Sequence, residues 1–330
     1  MLIDDSPWRI CIAPMLDWTD RHYRYFMRQM TRQTKLYTEM IHANALFYGE
    51  SKRYIDFNDI EQPLALQIAG NDPKKLAYCA NLAKKIGYRE INLNIGCPSL
   101  HAQQGFFGAC LMKDIPKIIH CVDAIKQTVS IDLSIKHRIG IEGIENYDFL
   151  ASFVGQLFDA GCHIFIIHAR QALLKASPKK NRTVPPLNYE YVYRLKRDYP
   201  NCTIVINGGI RTMDEISKHL RYVDGVMIGR EAYQNPYLFS KIDQHFFDEP
   251  LKQVTRQSII MAMIAYTKTQ LLTQPDVKVQ QIIKPLLNLY HGEKGAKWWR
   301  QYLSSCTPKN SNLLQEAAKK MQEFESPYIL

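Results

Sequence analysis

The residues with the clearest chemical potential lie in the stretch Glu90–Met112, where an apolar strand leads directly into Gly96-Cys97-Pro98 and then into a Gly-rich loop. Glycine frees the backbone before Cys97, and Pro98 fixes the next φ angle, so the turn is stiff and directs the thiol outward. That geometry suits a reacting group. The alternative is that Cys97 is a buried small hydrophobic residue, as most free cysteines are.

Polar or Gly-rich groups follow almost every predicted strand at its carboxyl end. They are Ala13-Pro14-Met15, Thr38-Glu39-Met40, Gln67, Asn94 with Cys97, Lys136-His137-Arg138, His168-Ala169-Arg170, Asn207-Gly208-Gly209 and Gly229-Arg230. Because reactive groups lie at strand carboxyl ends in an α/β barrel, the set as a whole indicates a site. The glycine turns after the seventh and eighth strands favour phosphate binding through backbone N–H groups, which implies a phosphorylated cofactor.

Two basic side chains, Lys136 and His168, follow the fifth and sixth strands. A cation there could stabilise negative charge on a reduced isoalloxazine ring or on a substrate enolate, and Gln67 could bond the edge of the ring. The alternatives are a salt-bridged lysine and a satisfied core histidine. The cysteines other than Cys97 lack C-x-x-C and His-interleaved spacing, so we expect no metal site and no disulfide framework, and a reducing, cytoplasmic compartment.

Eight short apolar or β-branched runs alternate with segments of helical spacing. The runs are Ile10–Met15, Leu36–Met40, Leu64–Gly70, Glu90–Gly96, Asp132–Gly140, Ile164–Arg170, Thr203–Ile210 and Gly225–Arg230. Such alternation predicts parallel strands with right-handed crossovers. An open doubly wound sheet would normally carry a Gly-rich dinucleotide fingerprint after an early strand, and the sequence has none. We therefore predict a (β/α)8 TIM barrel.

The expected division into domains follows from a change in the spacing of apolar residues along the chain. After about residue 250 the apolar spacing is helical only, and 330 residues allow one barrel of about 250 residues and a small appended domain. We expect the barrel over residues 1–248 and an all-α domain over residues 249–330. The acidic start and the lack of an apolar run of about 20 residues predict a soluble protein without a signal peptide or membrane span.

The formal net charge of +10 is distributed unevenly. Residues 251–330 contain eleven Lys and Arg against five acidic residues, and the stretch 170–186 contains five basic residues and no acidic one. Two basic zones suit a long polyanion better than a small phosphate ester. Lys294, Lys297 and Arg300 share a broad helix face that could follow phosphates, although an ordinary solvated face has the same pattern.

At this level of detail the sequence resembles the tRNA-dihydrouridine synthases, and within them the subgroup that modifies uridines 20 and 20a of the tRNA D-loop. The resemblance covers nearly the whole chain. Its motifs are APMLDWTDRHYRYF, LYTEM, PLALQIAG, EINLNIGCPS, GFFGACLM, IKHRIGI, IIHARQALLKASPKKNRTVPPLNYEYVYRLK, INGGI and DGVMIGREAYQNP. It implies a barrel that carries FMN, NADPH as the electron donor, and a helical domain that helps to bind tRNA.

The resemblance also implies roles for single residues. The FMN contacts it implies are Ala13, Pro14, Met15, Gln67, Lys136, His168, Asn207, Gly208, Gly209, Gly229 and Arg230. Cys97 matches the proton donor, and Asn94 matches a position that faces the bound uridine. Asn181 falls where the family touches tRNA, and the tRNA contacts that we add are Arg182, Lys297 and Arg300. Cys110 is a second thiol nearby and is not the expected acid.

The expected mechanism follows from uracil, whose C5=C6 bond is conjugated to the C4 carbonyl, so that C6 is the electrophilic end. N5 of reduced FMN would deliver a hydride to C6, and Cys97 would protonate C5 as a general acid. An ordinary cysteine is mainly a thiol at neutral pH and so has a proton to give. The base must leave its stack to reach a barrel mouth.

Two other functions stay open. The first is a flavin reductase of a small unsaturated carbonyl or of a free pyrimidine, against which the basic second domain argues. The second is a non-catalytic tRNA-binding chaperone, against which the presence of Cys97, Lys136 and His168 argues. We expect a monomer.

Overall fold

The computed structural model describes residues 6–49, 54–144, 146–177, 179–250, 253–274, 276–305 and 312–325. The strands are β1 (Ile10–Ile12), β2 (Leu36–Tyr37), β3 (Ile41–His42), β4 (Leu64–Ala69), β5 (Glu90–Ile95), β6 (Asp132–Arg138), β7 (Ile164–His168), β8 (Thr203–Asn207) and β9 (Gly225–Ile228). All their pairings are parallel, in the order β1-β9-β8-β7-β6-β5-β4-β2. The backbone of Lys35 closes the ring, since its N–H and carbonyl bond Ile10 and Ile12 at 2.9 Å each. The predicted TIM barrel is confirmed.

The second barrel position is made of two short strands, β2 and β3, where the sequence predicts one. Both pair with β4, and Thr38 lies between them. The Thr38 hydroxyl accepts from the Gln67 N–H at 3.0 Å and donates to the Glu39 carbonyl at 2.9 Å. The Thr38 hydroxyl thus takes the place of a backbone carbonyl in the pairing with β4, and this interrupts the strand between β2 and β3.

The helices and the 3-10 turns alternate with the strands and continue after them. The helices are α1 (Arg21–Arg28), α2 (Ala43–Tyr48), α3 (Pro73–Ile86), α4 (Leu100–Gln104), α5 (Ile115–Thr128), α6 (Tyr147–Asp159), α7 (Tyr189–Asp198), α8 (Met213–His219), α9 (Arg230–Gln234), α10 (Ile242–Phe246), α11 (Arg256–Thr273), α12 (Val279–Ile283), α13 (Ala296–Ser304) and α14 (Leu313–Glu325). The 3-10 turns are Asp59–Glu61, Gly108–Lys113, Lys180–Arg182, Pro236–Lys241 and Lys284–Asn288.

Side-chain caps fix where the helices around the barrel begin. Asp72 accepts from the Lys74 N–H at 2.9 Å and Pro73 occupies the first turn of α3, which ends at Gly87 in the left-handed region. Thr212 and Glu215 form a capping box at the start of α8. Such caps satisfy the unpaired N–H groups of a first turn, so the strand-to-helix junctions at the barrel rim are sharply defined.

The barrel interior is divided between an apolar side and a polar side. The apolar cluster consists of Cys11, Ala13, Tyr37, Ala65, Ile166, Val205 and Met227, with Trp8 and Met15 packed against it. The polar side comes from alternate residues of β5, whose other residues, Ile91, Leu93 and Ile95, are buried on the opposite face of the strand. Because side chains alternate, one short strand supplies polar groups to the interior and apolar groups to the helix layer.

The chain folds as two compact units, each made of several segments. The first comprises Met1–Leu16, Thr34–Phe57 and Gln62–Gly229, and the second comprises Asp17–Gln33, Asn58–Glu61 and Arg230–Leu330. The expected domain boundary at residues 248 and 249 therefore lies after the observed division between Gly229 and Arg230, and two earlier segments join the second unit. The roles expected for the two domains stay a prediction.

The helix α1 follows the first strand in the sequence, yet it packs within the second unit. Its Tyr23 hydroxyl donates to the Ala232 carbonyl at 3.0 Å. The buried Arg24 guanidinium pairs with the Glu61 carboxylate at 2.7 Å, and Arg28 donates to the Glu61 carbonyl. These buried polar contacts explain why an early segment belongs with the late helices.

The predicted all-α carboxyl-terminal region is confirmed. Trp299 on α13 is fully buried, donates its indole N–H to the Leu286 carbonyl at 2.8 Å and packs on Tyr290. Ile260 and Met263 of α11 are also fully buried. Among the residues that the structure describes, no helix has the length and hydropathy required to cross a bilayer.

Candidate active site

The turn that carries Cys97 is held by the side chain of Asn94. The Asn94 Oδ1 accepts from the backbone N–H groups of Gly96 and Cys97 at 3.0 Å each. Asn94 is the fifth residue of β5 and is itself buried. Because two N–H groups share one rigid acceptor, the backbone at Cys97 is fixed directly at the carboxyl end of the strand.

The loop that follows α4 also contacts this turn. The Cys97 carbonyl accepts from the Ala109 N–H at 2.8 Å. The preceding residue, Gly108, has a φ of +72°, and a Cβ there would lie 2.5 Å from the Cys97 carbonyl oxygen. Only glycine fits this position. The Cys97 side chain stays half-buried, with Sγ 3.4 Å from the Ser99 hydroxyl, so it remains reachable.

The neighbouring thiol, Cys110, has a different environment. Its Sγ donates to the Phe107 carbonyl at 3.1 Å, within its own 3-10 turn. Burial raises the pKa of Cys110 above its ordinary value. The Cys110 thiol is therefore engaged with its own loop, which agrees with the choice of Cys97 as the reactive thiol.

A lysine of β6 and an amide of β8, two strands that lie on either side of β7, meet at the same rim. Lys136 Nζ donates to Asn207 Oδ1 at 3.2 Å, and Asn207 Nδ2 donates to the Met227 carbonyl at 2.8 Å. Removal from water, and to a smaller extent the nearby Arg138 charge, lower the pKa of Lys136 from 10.5 to about 7, while Cys97 acts in the opposite direction. Because the acceptor is a neutral amide, an anion placed here would favour the charged lysine.

The glycine turn after β8 is closely packed. Gly208 and Gly209 have φ values of +125° and +76°. A Cβ on Gly208 would lie 2.9 Å from His168 Cδ2, and the Tyr189 hydroxyl donates to the Gly208 carbonyl at 2.6 Å. His168, at the end of β7, is half-buried against this turn. A bare backbone beside an imidazole suits a ligand that binds through N–H groups.

The remaining rim residues of the first unit also lie on adjacent strands. The Ala13 N–H donates to the Ile228 carbonyl at 2.8 Å, and a Cβ on Gly229 would lie 3.9 Å from the Ala13 Cβ. Pro14 and Met15 are half-buried. Arg230 is the first residue of α9 and belongs to the second unit, so its expected contact with a phosphate stays a prediction.

Gln67 completes the group at the centre of the barrel. It is 1% exposed, donates through Nε2 to Asn92 Oδ1 at 2.6 Å and accepts from Asn94 Nδ2 at 3.0 Å. The structure therefore links Gln67 to the Cys97 turn through a single residue, Asn94.

The sequence places Arg138 among the rim residues but assigns it no role of its own. Its guanidinium is buried and donates to the carbonyls of Gly96 at 3.0 Å, Gln171 at 2.9 Å and Asn181 at 3.2 Å. It therefore joins the Cys97 turn to the loop after β7. The available signal was its position at the end of β6, two residues after Lys136.

The predicted tRNA contacts are placed differently from one another. Arg182, Lys297 and Arg300 are exposed, as a phosphate contact requires. Asn181 is fully buried: its Oδ1 accepts from the Leu173 N–H, and its Nδ2 donates to the carbonyls of Leu173 and Ala176. In this conformation the Asn181 side chain organises its loop, because its amide is satisfied by backbone groups. These four tRNA contacts, and the contact of Asn94 with the bound uridine, stay predictions.

Comparison with known proteins gives a consistent result. The dihydrouridine synthase (Dus) family model matches residues 11–325. The chain is 48% identical to the tRNA-dihydrouridine(20/20a) synthase of Shewanella oneidensis over 91% of this chain and 89% of that protein. It is also 48% identical to the enzyme of the same name from Pasteurella multocida, over 90% of each.

A solved structure of 2-naphthoyl-CoA reductase in complex with 2-naphthoyl-CoA is similar in fold alone. Its TM-score is 0.56 at 12% identity, and the match covers 72% of this chain and 50% of that one. The family match, by contrast, spans both compact units and contains the Cys97 turn, Lys136 and the Gly208-Gly209 turn. The chain belongs to the dihydrouridine synthase family.

Proposed function

We propose that this protein is an FMN- and NADPH-dependent tRNA-dihydrouridine synthase that reduces the C5=C6 bond of uridines 20 and 20a in the tRNA D-loop. The observation that carries the proposal is the half-buried Cys97 thiol, held on a hydrogen-bonded turn at the carboxyl end of β5. The names of the Shewanella and Pasteurella relatives support the substrate and the positions.

The rim residues fit the flavin that this reaction requires. The Lys136 side chain donates to an amide oxygen, and its pKa is lowered because burial and the Arg138 charge make the protonated form costly. The Gly208-Gly209 turn carries no side chains of its own and packs beside His168. Gln67, Lys136, His168 and Asn207 would hold the ring system, and the glycine turns would hold the phosphate. Bound FMN would supply the two-electron reduction.

Cys97 would supply the proton. When a hydride adds to C6 of uracil, negative charge builds towards C5 and O4. Cys97 would donate its proton to C5, which completes the saturated C5–C6 bond with one hydride and one proton added. Lys136 would stabilise negative charge on the same rim, and Asn94 would keep the thiol-bearing turn in place.

The tRNA would be bound through the exposed basic side chains. Arg182 lies in the loop after β7, and Lys297 and Arg300 lie on α13. Contacts of this kind are electrostatic and fix the position of the backbone rather than the base. The target uridine would have to leave its stack to reach the rim, which favours loop nucleotides over paired ones.

A reconstitution assay tests the proposal. Purified protein is loaded with FMN and given NADPH with either an unmodified tRNA transcript or free uracil, and the products are analysed by mass spectrometry. We expect dihydrouridine in the tRNA and no reduction of uracil. Reduction of uracil alone would indicate the small-molecule reductase, and a protein that binds tRNA but takes up no flavin would indicate the chaperone.

A further inference from the structure

A continuous chain of buried side-chain hydrogen bonds runs inside the barrel from the first residue of β5 to the Cys97 turn. Its members alternate along the strands and so face the interior: Glu90, Asn92 and Asn94 on β5, Gln67 on β4 and Ser134 on β6. Glu90, Asn92 and Ser134 have no exposed surface, and Gln67 has 1%. Ser134 donates to Glu90 Oε1 at 2.5 Å and accepts from Asn92 Nδ2 at 2.7 Å.

The remaining hydrogen bonds of this network also run from donor to acceptor towards Glu90. Gln67 Nε2 donates to Asn92 Oδ1 at 2.6 Å, and Asn94 Nδ2 donates to Gln67 Oε1 at 3.0 Å. Asn94 Oδ1 then accepts from the Gly96 and Cys97 N–H groups. At one end stands a carboxylate, which can only accept, and at the other stand two backbone groups, which can only donate. Every intervening amide and hydroxyl therefore has one permitted orientation.

Glu90 is suited to end this chain because it receives donors on both oxygens. Its Oε2 is bonded by the Trp8 indole N–H at 2.9 Å and by the buried Lys35 ammonium, and its Oε1 by Ser134. A glutamine in its place would turn an NH2 group either towards Trp8 and Lys35 or towards Ser134. The carboxylate is thus the group that satisfies both sides at once.

We propose that Glu90 and Ser134 are positioning residues for Cys97: the Glu90 carboxylate sets the direction of the hydrogen-bond chain, and that direction fixes the Gln67 and Asn94 amides that hold the Cys97 turn. Networks of this kind are stable when every member is satisfied and lose their order when one link is removed. The effect on turnover rests on the proposed function, whereas the effect on the turn itself does not.

The experiment uses Ser134→Ala, which removes one link and keeps the Lys35–Glu90 pair. Glu90→Gln is the second variant, although it leaves the Lys35 charge without its partner and so carries a folding risk. The matched control is Tyr88→Phe, which removes a different buried hydrogen bond, from the Tyr88 hydroxyl to the Ile55 carbonyl at 2.8 Å.

The primary measurement is amide hydrogen exchange at Gly96 and Cys97 by NMR, with Ile206 of β8 as an internal reference. We expect exchange about tenfold faster at Gly96 and Cys97 in Ser134→Ala, with Ile206 unchanged and no effect in Tyr88→Phe. Exchange within twofold of wild type at both turn amides would overturn the proposal. Equal acceleration at Ile206 would also overturn it, because that result reports general destabilisation.

Kinetics on tRNA form the second readout. A positioning role predicts that Ser134→Ala lowers kcat about tenfold while KM for tRNA stays the same. A raised KM with an unchanged kcat would contradict the positioning role. If the turn amides respond and no variant, wild type included, forms dihydrouridine, the proposed function fails while the positioning of the turn stands.

Discussion

Cys97 combines a fixed backbone with a side chain that solvent can still reach. Its N–H is held by Asn94 and its carbonyl by Ala109, yet the side chain is only half-buried. A general acid needs both properties, because a proton can be transferred only to an atom within hydrogen-bond reach in a defined direction. The other described cysteines are buried, or, like Cys110, bonded within their own loop.

The first prediction concerns the thiol itself. We expect Cys97→Ala to bind FMN and tRNA as wild type does and to lose dihydrouridine formation by about 10²–10⁴-fold, the usual contribution of a positioned acid. Single-turnover assays with pre-reduced, FMN-loaded enzyme measure this step. Cys110→Ala is the matched control and should retain near-normal turnover. Wild-type rates for Cys97→Ala would remove the role assigned to Cys97.

The second prediction concerns Lys136 and pH. Its pKa is about 7 in the folded chain and 10.5 ordinarily, so between these values the unfolded chain holds a proton that the folded chain has lost. The folded state therefore bears the full cost of the buried charge below pH 7, and that cost fades as the pH rises to 10. We expect Lys136→Met to raise the thermal midpoint of the cofactor-free protein at pH 6 by about 2–4 °C.

Thermal scans at pH 6 and pH 9 measure the difference between variant and wild type, which should shrink at pH 9. The exposed Lys113 provides the control, since Lys113→Met should show no difference that depends on pH. The same Lys136→Met variant should bind FMN less tightly. A stability gap that widens from pH 6 to pH 9 would show that the sign assigned to Lys136 is wrong.

At the scale of elements, the Cys97 turn depends on the loop that begins after α4. Gly108 packs directly against Cys97. Its positive φ is a backbone conformation that only glycine adopts without strain. Gly143 has a similar positive φ of +84°, but a Cβ there would meet nothing within 4 Å. The two glycines thus separate the cost of backbone conformation from the cost of a clash.

We expect Gly143→Ala to cost about 1–2 kcal/mol of folding stability through its left-handed conformation. Gly108→Ala should cost roughly 1–3 kcal/mol more, because its Cβ would overlap the Cys97 carbonyl and displace the turn. Urea unfolding measures the two free energies, and the alkylation rate of Cys97 reports on the turn. Equal costs for the two variants, with unchanged alkylation, would show that Gly108 does not support the turn.

β5 shows how far the sequence predicts the site. Its position, its Cys97 turn and the rim residues of the neighbouring strands were predictable, because a strand period and a terminal Gly-Cys-Pro are local features. The inward polar face of Glu90, Asn92 and Asn94 was not predicted, since the strand was interpreted as apolar. Their partners, Gln67 and Ser134, lie 25 and 42 residues from Asn92 in the chain. That pairing depends on strand register, which local patterns do not specify.

The placement of the helix α1 and the burial of Asn181 could not be predicted from the sequence, and both have a physical reason. The helix α1 has the spacing of a barrel helix, but its buried Arg24 and Arg28 bind Glu61, in a short turn that a local pattern does not connect to it. Asn181 lies among basic residues that suggest an exposed loop, yet both polar atoms of its side-chain amide form hydrogen bonds with the backbone of that loop. In both cases a long-range or geometric contact overrides composition.

At the scale of the whole molecule, the positive charge is the property that a polyanionic partner would detect. Exposed Lys297 and Arg300 lie on α13 of the second unit, and their joint loss should reduce the number of ions released when tRNA binds. We expect Lys297→Ala with Arg300→Ala to reduce the slope of log Kd against log salt by about one to two units.

Titrations of labelled tRNA at several salt concentrations measure that slope. The control pair is Lys84→Ala with Lys85→Ala, two exposed lysines in the last turn of α3, at the barrel end opposite the Cys97 turn. That pair should leave the slope nearly unchanged. If instead the control pair flattens the slope and the α13 pair does not, the tRNA contacts lie elsewhere on the molecule.

The most direct test of the central claim is to map dihydrouridine in the tRNA of cells that lack this protein and then regain it as wild type or as Cys97→Ala. We predict that dihydrouridine at positions 20 and 20a disappears on deletion, returns with the wild-type chain and does not return with Cys97→Ala. Unchanged dihydrouridine at both positions after deletion, or full restoration by Cys97→Ala, would contradict the account.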